Sequence, residues 1–142
     1  MNGKSSPLFA YRGAEVRQLT SDLQNHYLSP YGVFSPDNQW LVYDPRTAEA
    51  AMGSNPVIEK VNIATGQREV LYRVPNQNEY GPGCGTPTWH PLENKIIFIH
   101  GLDNADHDRP YDLHRRTCVM VDEANPGIAT RLDARDVTVP FS

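Results

Sequence analysis

The chain has 142 residues, 39% of them hydrophobic, and a formal net charge of −4; this suffices for one ordinary domain with a packed core but supplies no basic excess for phosphate backbones or anionic membrane surfaces. No apolar run approaches the ~20 residues that cross a bilayer, and residues 1–14 offer only Pro7, Leu8, Phe9 and Ala10 where a signal peptide needs an apolar core. Nucleic acid and membrane insertion are therefore excluded as partners, and the expected location is cytoplasmic, with the periplasm left open should the natural start be truncated here.

Twelve prolines and ten glycines leave few windows long enough for a helix, while short β-branched and aromatic runs recur between them. That is an all-β pattern. In chain order, residues 1–15 form an N-terminal extension and Arg17-Gln-Leu-Thr20 a first strand, followed by a long connection over 21–30. Phe34-Ser-Pro-Asp37 then leads through a turn into Trp40-Leu-Val-Tyr-Asp44. A long connection over 45–56 precedes the strand 57–63, and the tight turn 64–67 joins it to the strand 68–73.

After the connection 74–86 the same order begins again: Trp89-His-Pro91, a turn over 90–94, a strand over 95–99, a long loop over 100–116, a strand over 117–121, a turn over 123–127 and a strand over 129–132. Phe34-Ser-Pro-Asp-Asn-Gln-Trp-Leu-Val-Tyr-Asp44 aligns without a gap on Trp89-His-Pro-Leu-Glu-Asn-Lys-Ile-Ile-Phe-Ile99, and Val57-Ile-Glu-Lys-Val61 on Thr117-Cys-Val-Met-Val121. The copies stand 55 residues apart, more than the ~40–45 of an ordinary propeller blade, so each carries an insertion. The reading is about two four-stranded blades: 16–73 with a preceding outer strand, 74–133, and a third unit beginning over 134–142. Two blades do not close a ring, so the chain is expected to be an N-terminal fragment of a propeller of about six to eight blades, its further blades lying in the same full-length chain.

Arg17-Gln-Leu-Thr20 followed by Phe34-Ser-Pro-Asp and Trp40-Leu-Val-Tyr resembles the repeat of TolB-like propellers. With Asn25-His26, Phe98-Ile-His-Gly101, Tyr111-Asp112, His114-Arg-Arg116 and Asp136-Val-Thr138, the chain resembles the uncharacterised bacterial YidR-like family, a domain of unknown function, over roughly 16–141. The Ser-Pro-Asp motif is generic to such propellers; Phe98-Ile-His-Gly101 with His114-Arg-Arg116 is the specific part. The resemblance implies a longer propeller of unknown activity with a further His-containing segment. A more distant likeness, at fold level, is to oligogalacturonate lyases, whose metal-binding histidines match no residue here.

Consecutive antiparallel strands place their connections alternately at the two ends of a sheet, so the short turns share one end and the long connections 21–30, 45–56, 74–86 and 100–116 share the other. Long loops on a rigid scaffold are where binding resides. The candidate ligand-binding residues on that end are His26, His100, Asp112, His114, Arg115 and Arg116. No metal is assigned; His100, His107 and His114 are the nearest to ligands in type, but their spacing fits no cage. Asp106, His107 and Asp108 read as solvated, His100 and His114 equally as structural or ligand-contacting. Arg115 and Arg116 read either as a fork for the carboxylate of an acidic sugar or peptide or, the favoured reading, as an ion pair with Asp44 or Asp112.

Trp40, Trp89, Tyr43 and Phe98 sit at repeat positions and read as core between the blades. Gly81-Pro-Gly-Cys-Gly85 lacks the Lys-Ser/Thr end of a phosphate loop. Cys84 and Cys118 read as two thiols or one bridge, two thiols being the simpler state outside an oxidising compartment. No nucleophile motif is present. The functional expectation is a ligand- or protein-binding scaffold, the alternative a metal-assisted carbohydrate-active enzyme resembling oligogalacturonate lyase. No cofactor follows from the residues, and a divalent metal is left open for the full-length protein.

Overall fold

The computed structural model describes residues 7–11 and 13–132. Within them the fold is all-β. β1 (Pro7–Tyr11) and β2 (Ala14–Arg17) form an antiparallel hairpin with Gly13 at φ +81° in its turn, a backbone region that costs glycine nothing. The strand expected over 17–20 thus falls at Ala14–Arg17, and it is preceded by a further strand within the expected extension. The expected third unit over 134–142 lies outside the described residues.

β3 (Trp40–Tyr43), β4 (Val57–Asn62) and β5 (Arg68–Arg73) follow as one antiparallel sheet, with a short 3₁₀ segment (Glu49–Ser54) between β3 and β4. The segment before β3 runs along the free edge of β3, since Val42 N donates to Val33 O at 2.9 Å and Ser35 N to Trp40 O at 2.9 Å. β6 (Cys84–Trp89), β7 (Lys95–Gly101), β8 (Arg116–Asp122) and β9 (Ala129–Arg131) make a second antiparallel sheet in chain order. Both sheets are open antiparallel meanders, the second of four strands as the repeat predicted and the first of three strands where four were expected.

The repeated motif acts through its polar residue. In the first copy Ser35 Oγ accepts from Trp40 N at 3.0 Å and donates to Asp37 Oδ1 at 2.6 Å; in the second, His90 Nδ1 accepts from Leu92 N and Glu93 N at 3.3 and 3.1 Å. Both side chains satisfy turn amides that would otherwise lack a partner. The later turns match as well, Asn62 Oδ1 accepting from Ala64 and Thr65 N and Asp122 Oδ1 from Ala124 N.

Registers repeat too. Val42 stands opposite Lys60 and Tyr43 opposite Glu59; 55 residues on, Ile97 stands opposite Met120 and Phe98 opposite Val119. Side chains alternate across a strand, so each sheet has a Tyr43/Phe98 face and a Val42/Ile97 face. The core lies where the Val42 face of the first sheet meets the Phe98 face of the second. Val42, Ile58, Leu71, Trp89, Ile96, Phe98, Val119 and Val121 are buried there, with Trp40 against them. Each such side chain contributes ~1.5–3 kcal/mol on leaving water.

Lys60 closes the edge of that core. It is 5% exposed, with Nζ 2.5 Å from Glu123 Oε1, 3.1 Å from Glu69 Oε2 and 3.9 Å from the Trp40 ring centroid. Of the four aromatics read as core, Trp40, Trp89 and Phe98 pack between the sheets. Tyr43 points the other way, onto the His26 ring at 4.6 Å, and donates to Glu59 Oε2 at 2.7 Å.

Candidate functional site

Four long connections gather at one end of the sheets. Asn25 Nδ2 donates to Thr47 O at 2.8 Å, Gln77 Nε2 to Ser54 O at 2.6 Å and Asn78 Nδ2 to Ala105 O at 3.0 Å. Tyr111 N donates to Tyr80 O at 2.8 Å and Tyr111 Oη to Met52 Sδ at 3.0 Å. The short turns meet at the opposite end, where Ile63 N donates to Gln39 O and Glu123 N to Asn94 O. The face singled out from loop length is therefore a knit platform, its loops fixed to one another by backbone and amide bonds.

The glycine-rich stretch is the seam of this platform. A Cβ on Gly83 would collide with the Met52 carbonyl oxygen and lie 2.5 Å from Gly53 C, so two loop backbones touch there with no room for a side chain. Beside it Asn55, 3% exposed, donates from Nδ2 to both Val57 O and Cys84 O at 2.8 Å, while Cys84 N donates to Asn55 O at 3.0 Å. Cys84 is buried and Cys118 exposed, both as free thiols. Burial pushes the Cys84 thiol up, which keeps it protonated and inert.

A buried charge pair stands at the end of β3. Asp44 is 0% exposed, with Oδ1 3.0 Å from Arg46 Nε and Oδ2 accepting from Thr86 N at 2.8 Å. Arg46 in turn lies over the Tyr27 ring at 4.3 Å from its centroid. Burial raises the Asp44 carboxyl above the ordinary carboxylate range, opposed by the Thr86 amide and the Arg46 charge. Thr86 takes φ +52°, an outlier for a β-branched residue, at the bulge where β6 skips register against β7. The carboxylate of Asp44 holds this strained amide in place.

Behind the same end, a cleft of about 450 Å³ opens between β5 of the first sheet and β7, β8 and β9 of the second. Its buried lining includes His100, Tyr72 and Thr117, at 4%, 5% and 7% exposure. His100 Nδ1 is 2.6 Å from Gly101 O, a partner that only accepts. Nδ1 therefore donates to Gly101 O, and Nε2 lies 3.0 Å from the Tyr72 hydroxyl oxygen. Burial, then the nearby Cys84 and Asp103, push the Tyr72 hydroxyl up to about 12.

The residues picked from the sequence are dispersed. His100 lines the cleft. His26 lies behind the first sheet, on Tyr43, with Nε2 3.4 Å from Asp22 Oδ1, so Tyr43's strand separates it from the core face. His107 and His114 are exposed; His107 Nδ1 lies 2.9 Å from Asp108 Oδ1, and its ring meets Tyr80 edge-on. Asp112 caps its own turn, Oδ1 accepting from His114 N at 2.5 Å and Arg115 N at 3.2 Å. Arg115 is buried and donates to Asn104 Oδ1 at 2.6 Å, while Arg116 is half-buried at the start of β8.

Asp44 takes Arg46, two residues along its own chain, and Arg115, expected to pair with an aspartate, donates instead to Asn104, while Asp112 Oδ1 accepts from backbone amides. Among the described residues no three His, Cys, Asp or Glu side chains stand together to hold a metal ion; His100, His107 and His114 are not gathered. Sequence reasoning passed over Arg46, Asn55, Tyr72 and Thr117. Arg46 alone had a visible signal, a lone cation two residues from the Asp44 at a strand end.

Among the described residues no helix is long and apolar enough to cross a membrane. A family profile described as "Protein of unknown function (DUF3748)" matches residues 83–142. The chain is also similar to "Uncharacterized protein YidR" of Escherichia coli (strain K12), 39% identical over 132 residues that cover 93% of this chain and 30% of that protein. It spans less than a third of that relative's length. No solved structure gives a significant match.

Proposed function

We propose, starting from this likeness to proteins of unknown function, that the two sheets are consecutive blades of a TolB-like β-propeller and that their long-loop end binds a small molecule or protein partner without transforming it. One observation carries the reading: the register of the first sheet recurs 55 residues later with the same alternation of faces, so the contact joining the sheets is one that a further unit can repeat. The knit loop end supports the binding part, since loops fixed to one another present a preorganised surface. The lyase-type alternative gains nothing from the placement of His100, His107 and His114, and Arg115 is occupied with Asn104.

The discriminating experiment is metal analysis of the purified chain after incubation with Mn²⁺ or Zn²⁺, together with an assay for unsaturated uronate released from polygalacturonate. The expected result is less than one metal per chain and no unsaturated product. One tightly held metal per chain with product accumulating would overturn the binding reading in favour of a lyase.

A further inference from the structure

We infer that the chain docks a second copy of itself head to tail, the Ile97 face of one copy seating on the Leu28, Tyr31 and Phe34 surface of the next. The inference rests on the reading of the two sheets as consecutive propeller units and names what their two free ends take as partner. Its first support is a set of residues that the repeat makes equivalent and the structure treats differently. Phe34 stands opposite Leu41 as Trp89 stands opposite Ile96, so both aromatics lie on the Tyr43/Phe98 type of face. Trp89 and Ile96 are 3% and 0% exposed inside the contact between the sheets, whereas Phe34 is 51% exposed and Leu41 half-buried. Among the described residues, Phe34 lacks the facing sheet that Trp89 has.

The other end of the stack shows the complementary lack. Ile97 corresponds to Val42, which is buried at the contact, yet Ile97, Ile99 and Met120 are half-buried and Cys118 is exposed. The contact inside the chain joins unlike faces, a Val42 face to a Phe98 face. The two free faces are again one of each type, so the operation that relates the two sheets, applied once more, sets a second copy on either end. The segment covering Tyr43 does not remove the apolar surface, because Leu28 and Tyr31 of that segment are themselves 49% and 81% exposed. Residues 28–34 carry no acidic or basic side chain, and Ile97, Ile99 and Met120 are apolar, so contact between the two surfaces desolvates no charge; interface cores have this composition, rich in aromatics and Met and poor in charges. A contact between two Ile97 faces would instead leave Tyr31 and Phe34 in water. Repeated from copy to copy, a head-to-tail contact closes into a ring or runs on as an open chain. At two sheets per copy, a propeller ring of about six to eight sheets takes three or four copies.

Sedimentation velocity of the 142-residue chain over a wide concentration range tests this. The chain is expected to be monomeric near ~1 µM and to associate with an apparent Kd on the order of 10–100 µM, as a weak interface does. Ile97→Asp and Phe34→Asp, one on each surface, are each expected to weaken association about tenfold or more. Urea midpoints taken on the dilute monomer check that both variants fold, and Met120→Asp replaces Ile97→Asp if that midpoint falls. An equimolar mixture of the two variants is expected to pair one to one and go no further, since each brings one intact surface. A monomer throughout the range overturns the inference and leaves the propeller reading standing. Association that Phe34→Asp leaves unaltered overturns it too, because the copies then meet by other faces. Polymers of the parent that grow without limit, with the variant mixture still pairing, keep the head-to-tail contact and overturn the propeller reading, since that contact does not close.

Discussion

The two sheets share strand order, turn chemistry and register, and differ in what covers them. The first is covered on both faces. On its Tyr43 face lies the segment after β2, held where the Arg17 guanidinium donates to Ile63 O, where Arg68 pairs with Asp22 and where His26 stacks on Tyr43; on its Val42 face lies the second sheet. Among the described residues the second sheet is covered on one face only. Its Ile97 face presents Ile97, Ile99 and Met120 half-buried and Cys118 exposed, although by the repeat this face corresponds to Val42, Ile58 and Lys60, all buried in the first sheet. Apolar strand faces left to water are unusual in a finished fold and mark a surface that something packs against. Identical local rules thus yield one sheet covered on both faces and one that, among the described residues, is covered on a single face.

The largest test of that contrast exchanges equivalent residues. Val42→Asp places a carboxylate in the closed core, losing ~1.5–3 kcal/mol of burial and adding the cost of an unpaired buried charge, so loss of at least ~5 kcal/mol is expected, enough to unfold a domain of ordinary stability. Ile97→Asp at the matching position of the open face is expected to cost within about 1 kcal/mol. Urea unfolding of the 142-residue chain measures both. Equal losses would mean that the open face is occupied in solution, and a concentration-dependent midpoint would then point to a second copy.

A smaller effect probes the strand ends, where Asp44 of the first copy corresponds to Ile99 of the second. Arg46→Met strands the Asp44 carboxylate in a buried site, an expected loss of ~3 kcal/mol at neutral pH. The pH dependence follows from the direction of its shift. The folded-state carboxyl already titrates above its ordinary value, so in that window the folded chain holds more protons than the unfolded one and stability falls as pH rises. Without Arg46 the carboxyl is raised further. The gap between Arg46→Met and the parent is therefore expected to be widest at neutral pH and to narrow toward the ordinary carboxylate range as Asp44 takes up a proton. A gap independent of pH would show that packing on Tyr27, and not charge, is what Arg46 supplies.

Much of this architecture was legible because it obeys short-range rules. Proline and glycine spacing, alternation of apolar residues and one gapless repeat located β3, β4, β5, β7, β8 and β9 and the end at which the long loops meet, but β6 (Cys84–Trp89) begins inside the stretch 74–86 expected as a connection. The hairpin over β1 and β2 escaped because no repeat copy flagged it. The site was less legible for a reason of distance: Tyr72 and His100 lie 28 residues apart and Asp44 and Thr86 42 apart, and no local pattern announces which buried polar groups will meet. His107 was read as solvated and is exposed, whereas His114, left open between a structural and a ligand-contacting role, is exposed too. The part Gly83 plays as the seam between two loops depends on the backbone of Met52 and Gly53, which a sequence does not place.

The gentlest probe leaves the fold untouched and reads the two faces through the two thiols. Cys84 lies in the closed core at 0% exposure, with burial keeping its proton on; Cys118 lies on the open face opposite Ile99. A thiol reagent attacks the thiolate and needs access, so the native chain is expected to take up one label quickly, at Cys118, and a second only as it unfolds. Labelling of both at similar rates would mean that the sheets separate readily and that the closed interface is weaker than its burial implies. In a longer protein carrying further β units of this kind, the expectation reverses for one residue alone. A unit packed on the Ile97 face would bury Cys118 as the second sheet buries Ile58, its counterpart in the first copy, and slow its labelling toward that of Cys84. The rate at Cys118 thus reports whether the open face has found the neighbour that the first sheet already has.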